Sequence, residues 1–264
     1  MTLHAPVPAG TPAPPSAAGA AAPLPARVLR HGAYEALAML RNGEQLVLAI
    51  VLPLLALTAL VLTPLLDAYG PSRIDVAAPG VLALCTMSTA FTGQGIATGF
   101  DRRYGVLRFL STTPLGRSGL ILGKAVAVAV VLAVQLVVIG GAALLMGWTP
   151  DPAGILPAAL LLLLGSAAFT ALGLLVAGTL RPEATLAVTN LVWILLAAAG
   201  GVIIPAASLP AAAEPFVSVL PSAALGDGLR SALLDGVFDP IACLVLLAWA
   251  VVASLAAIRW FKWS

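Results

Sequence analysis

Residues 100–124, FDRRYGVLRFLSTTPLGRSGLILGK, gather five of the chain's 13 basic side chains among aromatic and apolar residues. Such a mixture suits recognition: arginines meet carboxylates or phosphates, and rings and aliphatic groups fill an apolar cleft. It does not suit bond-making. Gly123-Lys124 superficially resembles the end of a phosphate-binding loop. That loop needs Gly where this chain has Ser118 and a hydroxyl where it has Ala125. The two histidines, His4 and His31, have no second metal ligand nearby, and Cys85 and Cys243 form no paired motif. No set of acid, base and nucleophile is legible.

A second group of polar residues lies within apolar sequence: Gln94, Gln135, Thr189, Asn190 and Trp193. Each could line a path for a transported compound. Taken singly, each is better explained as holding two helices together, since a hydrogen bond between membrane helices is a common use of such residues.

The elements that must position both groups follow from charge. Hydrophobic residues are 61% of the 264 and charged residues 9%, too few to cover a water-facing surface. The charges leave six uninterrupted windows of 19 to 30 residues. A membrane helix needs about 20 apolar residues. The expectation is an all-α integral membrane protein with six spans, near 46–66, 77–99, 122–146, 155–178, 185–204 and 239–258. Pro53 should kink the first. Gly95 and Gly99 give the second a face for close helix contact.

Eleven of the 13 basic residues fall on the side of the termini, leaving Arg73 and Arg230 opposite. The excess places both termini in the cytoplasm of a cell-membrane protein. Residues 1–25 carry seven prolines and no basic residue. They read as a disordered cytoplasmic tail and not as a signal peptide. Residues 26–44 read as an amphipathic interfacial helix, with Leu29, Ala33, Ala36, Leu37 and Leu40 on one face and Arg27, Arg30, His31, Glu35 and Arg41 toward the other. Between the fifth and sixth spans, Gly200, Gly201, Pro205, Pro210, Pro215 and Pro221 predict a broken helical segment, re-entrant or lying on the outer surface. Arg259-Trp260-Phe261-Lys262-Trp263 reads as an interfacial anchor.

On three features the chain resembles the ABC-2 type permeases, the membrane subunits of ATP-binding-cassette exporters, including those of multidrug resistance. The first is the run from Asp101 through Arg102, Arg103, Gly105 and Leu107 to Thr113-Pro114-Leu115-Gly116-Arg117 and Gly123-Lys124. The others are the helix before span 1 and the Pro221…Arg230 element before the last span. Asp101 stands where the family often has Glu. The resemblance covers residues 26–263.

It implies that 101–110 form a coupling helix set into a cleft of a nucleotide-binding ATPase subunit. Asp101, Arg102, Arg103, Tyr104, Gly105, Val106, Leu107, Arg108 and Phe109 would make that contact. ATP and Mg would be bound by the partner, with no cofactor in this chain and no catalysis of its own. A second copy, or a similar permease, would complete the transporter in the bilayer; nucleic acid is not an expected partner. With few charges in the spans, a hydrophobic or amphipathic cargo, a drug or lipid, is the expected export. The competing readings are a membrane scaffold that anchors a cytoplasmic partner and an autonomous channel or carrier.

Overall fold

A computed structural model describes residues 22–43, 47–70 and 72–260. The described residues form helices and turns with no strand. Most of the proposed tail, residues 1–21, lies outside them, as do Phe261, Lys262 and Trp263 of the proposed anchor.

Helix α1 is Leu24–Arg41. A π-helical turn, Val47–Val51, leads into α2, Leu52–Leu62. The first apolar segment is thus shorter than its charge-free window. Thr63 precedes Pro64 and leaves the helix (φ −99°, ψ 153°), as a residue before proline tends to. The next helix runs unbroken over Arg73–Arg103. It comprises α3 (Arg73–Met87), a π turn (Ser88–Gly93) and α4 (Gln94–Arg103). It exceeds the expected 77–99 at both ends. The Ser72 side chain accepts from the Asp75 N–H at its start, and salt bridges and carbonyl contacts hold its far end. Then come α5 (Val106–Ser111), α6 (Gly116–Leu145), α7 (Ile155–Thr179), α8 (Pro182–Ala199), the short α9 (Glu214–Val217), α10 (Pro221–Asp235) and α11 (Pro240–Trp260).

Among the described residues, five helices are long and apolar enough to cross a membrane, and the segment Ala49–Leu62 is a shorter apolar one. The protein is all-α and membrane-spanning. Successive long helices alternate in direction, so one end of the bundle holds Arg102, Arg103, Lys124 and Arg259. We call it the basic end. Arg73 and Arg230 are at the opposite end.

Helix α3 is the centre. Every residue from Val76 to Met87 is buried, against α2, α6, α7 and α10. Helix α10 also packs on α7 and α11. The expected broken segment is therefore an inserted plug of 3-10 turn and helix. Its Arg230 is 6% exposed. The guanidinium donates to the carbonyls of Gly201 (2.8 Å), Val202 (2.8 Å) and Ile203 (3.3 Å), and to Asp227 (2.6 Å). Those carbonyls lie just past the end of α8, where helical partners run out. One side chain thus closes the end of α8 onto the plug. The Gly95/Gly99 face is used within the chain. A Cβ at Gly95 would stand 3.1 Å from the Thr189 methyl of α8 and 3.4 Å from the Gly173 carbonyl of α7, and one at Gly99 would stand 3.3 Å from Thr185.

Candidate functional site

At the basic end, three consecutive residues of α4 tie it to three other helices. Asp101 accepts from Lys124 Nζ of α6 at 3.0 Å. Arg102 donates to the carbonyls of Ala177 (2.7 Å) and Leu180 (2.5 Å) at the end of α7, a cation meeting the negative end of a helix. Arg103 pairs with Glu183 in the first turn of α8 at 2.5 Å.

Lys124 is 2% exposed and also reaches Glu35 Oε1 of α1 at 3.2 Å. His31, one turn before Glu35, lies 3.1 Å from the same carboxylate. Burial opposes ionisation of Glu35. The close approach of the His31 imidazole and the positive charge of Lys124 outweigh it and hold the carboxyl below its ordinary value of 4.5. The buried face of α1 is Val28, Gly32 and Ala36, packed on α6. Leu29, Ala33 and Leu37 of the expected apolar face are exposed on the outside of the bundle.

The chain then turns. Tyr104 leaves α4, Gly105 adopts φ +73°, and α5 begins at Val106. A left-handed residue breaks the helix and costs a side-chain-bearing residue strain. The single coupling helix expected over 101–110 is therefore two pieces: the end of a long span helix and a six-residue helix, with the break at Gly105. The hydroxyls of Thr112 and Thr113 turn back onto the Phe109 and Leu110 carbonyls (2.8 and 2.7 Å), ending α5 before Pro114.

The nine residues expected to meet a partner divide accordingly. Asp101, Arg102 and Arg103 are engaged within the chain, and Leu107 is wholly buried. Tyr104 (72% exposed), Val106 and Phe109 (69%) project outward with Arg108. The rings of Phe100 and Tyr104 stack with centroids 6.2 Å apart, linking the tip to the span helix.

Deeper in the bundle, a cavity of about 720 Å³ opens between the first apolar segment, the π turn of 88–93 and α8. Its walls are mostly apolar (Met39, Leu52, Pro53, Ile96, Phe100, Leu186), with Ser88, Thr89, Thr92 and Asn190 as polar points. Two of the five expected path residues line it, Asn190 and Trp193. Trp193 donates its indole N–H to Ser88 Oγ at 2.8 Å.

The other three do not line it, and each has a partner within the bundle; Gln135 also borders a smaller cavity of about 250 Å³ beside Thr86 and Ser166. Gln94 is buried against Met39 Sδ (3.8 Å). Thr189 is buried with its hydroxyl on the Thr185 carbonyl of its own helix (2.7 Å). Gln135 of α6 bridges the two π turns. It donates to the Ala49 carbonyl at 2.7 Å and accepts from the Thr89 hydroxyl at 3.0 Å. Pro53, four residues after Ala49, has no N–H to give that carbonyl, so the side chain from α6 supplies one.

Sequence reasoning missed Glu35 and Lys124 as partners, and Ser88 and Thr89 as cavity residues. Gly32 and Ala36, a small pair four residues apart on α1, were the available signal that this face packs on a helix.

Residues 74–259 match a family model described as ABC-2 family transporter protein. The match takes in α3 to α11 and leaves α1 and α2 outside, a narrower extent than the expected 26–263. No curated protein matches the chain.

Proposed function

The chain belongs to the ABC-2 transporter family, the membrane permeases of ABC transporters, and on that premise we propose that it exports a hydrophobic or amphipathic compound using ATP hydrolysed by a separate subunit docked on Tyr104, Val106 and Phe109. The observation that carries this reading is the contrast across Gly105. On one side, Asp101, Arg102 and Arg103 are each fixed to a different helix. On the other, an aromatic and aliphatic tip stands in the open. An element that passes a push from a partner into the spans needs an exposed tip to receive it and a rigid root to deliver it. A loop that served only as a positive charge on one side of the membrane needs neither.

In this reading the basic end faces the cytoplasm of the cell membrane, and ATP with its Mg²⁺ belongs to the partner. A second copy of the chain, or a similar permease, completes the path. The cavity beside Asn190 and Trp193 receives the cargo. Its apolar walls favour a lipophilic body, and its few hydroxyl and amide groups orient a polar portion.

The test is to purify the full chain with its ATPase and reconstitute the complex in vesicles. Wild type should show ATP-driven movement of lipophilic fluorescent compounds. Tyr104→Asp/Phe109→Asp should still fold and insert, yet lose the ATPase and transport. Flux through the chain alone without ATP would favour an autonomous channel. A bound ATPase that drives no transport would favour a scaffold.

A further inference from the structure

Helix α1 carries three faces. One is packed on α6: Val28, Gly32 and Ala36. A second is apolar and outward: Leu29, Ala33 and Leu37, with Leu29 58% exposed. The third runs beside it. Arg27, Arg30, Tyr34, Leu37 and Arg41 recur at intervals of three and four residues and so share one side of the helix. Arg30, Tyr34 and Arg41 are exposed, and among the described residues neither Arg30 nor Arg41 has an acidic partner. The helix has one acid, Glu35, and it is turned inward onto Lys124. Its removal to the junction leaves the outer stripe with positive charge alone.

We propose that this stripe is a binding surface for the headgroups of anionic phospholipids, with Arg30 and Arg41 on the phosphates and Tyr34 between them at the level of the interface. The occupant follows from the adjoining face. A basic stripe alone would fit any acidic partner. One that borders a row of exposed leucines and alanines, at the end of a bundle of apolar helices, fits a surface that is anionic on top and hydrocarbon beneath. Aromatic residues with a polar tip settle at that boundary. Because α1 is clamped to α4 and α6 through Lys124, headgroup binding holds the root of the coupling element as well as the helix itself. The clamp and the stripe share no residue, so either can be altered alone.

A tryptophan placed in the stripe reports on it. Tyr34→Trp full-length protein is reconstituted in phosphatidylcholine vesicles holding equal mole fractions of either brominated phosphatidylglycerol or brominated phosphatidylcholine. The quenching of wild type is subtracted. The added tryptophan should be quenched more by the brominated anionic lipid. Each arginine near an anionic surface strengthens attraction about fivefold. Adding Arg30→Gln and Arg41→Gln should therefore erase most of the preference, and raising salt should weaken it. Arg30→Lys/Arg41→Lys, which keeps the charge, should retain it. Equal quenching by both lipids, or a preference that survives in the glutamine variant, would overturn the proposal. An unchanged melting temperature in both arginine variants separates loss of binding from loss of fold.

Discussion

Lys124 Nζ and Asp101 Oδ2 stand 3.0 Å apart where three helices meet, and Glu35 completes the group from the other side at 3.2 Å. The cation is almost fully enclosed. Enclosing it has a cost that the two carboxylates offset together.

Replacing Lys124 by Met should therefore destabilise the protein by about 3 kcal/mol, because two carboxylates would face each other in a dry junction. Thermal unfolding in detergent would register this as a lower midpoint. Glu35→Gln/Lys124→Met should recover part of the loss. If the single substitution leaves the midpoint unchanged, the junction is not holding α1 to the bundle.

The same group sets a pH dependence. The folded-state pKa of Glu35 lies below its ordinary 4.5, so its contribution is fully present above 4.5. It is lost as pH falls through the lower folded value. Acid titration of the melting point should show a component below about 4.5 that Glu35→Gln removes. The variant's curve should be flatter and its midpoint lower at neutral pH.

Gly105 turns the chain at φ +73°, and a Cβ there would meet nothing within 4 Å. The cost of substitution is therefore conformational. Gly105→Ala should lose about 1 kcal/mol. Gly105→Asn should lose less, and Gly105→Val more. In the reconstituted complex the same ranking should appear in the ratio of transport to ATP hydrolysis, since the angle between tip and root is what changes.

Gln135→Leu separates a structural from a cargo-binding role. It removes the donor to Ala49 and the acceptor for Thr89, and membrane hydrogen bonds of this kind average about 0.6 kcal/mol each. A loss of about 1 kcal/mol is expected, with cargo concentration dependence unchanged. Asn190→Leu, at the cavity wall, should do the reverse. A shift in cargo dependence in Gln135→Leu would return that residue to the path.

Arg230→Gln should cost about 3 kcal/mol, since Asp227 and the carbonyls of Gly201 and Val202 would lose a buried charged donor. Arg230→Lys should rescue poorly, because a single ammonium cannot reproduce the planar fork that serves separated acceptors. Unfolding midpoints of the two variants check both statements.

The architecture was legible because membrane helices are written in composition. Gaps between charges locate them without knowledge of their neighbours. The limits of that reading are equally physical. The charges of Arg73 and Arg103 put both outside the expected span of 77–99. Charge ends an apolar window, yet Arg73 is met by Asp67, and Arg103 by Glu183, so the helix continues. The residue types of 101–109 suggest a surface offered to a partner, yet Asp101, Arg102, Arg103 and Leu107 are engaged or buried within the bundle. Nothing local distinguishes an arginine facing a partner from one capping the end of α7. Lys124 and Glu35 are 89 residues apart, and only the folded bundle brings them together.

The Ala49 carbonyl carries a consequence for how the chain is made. Pro53 denies it its usual helical donor at a depth where water is scarce, and the replacement comes from Gln135, 86 residues later. Until α6 has been synthesised and has docked, the first apolar segment lacks the side-chain donor that this carbonyl has in the folded bundle. Synthesis order and folding order part at this point. The earlier apolar segment thus takes a donor from one made after it, and Gln135 is the residue that supplies it.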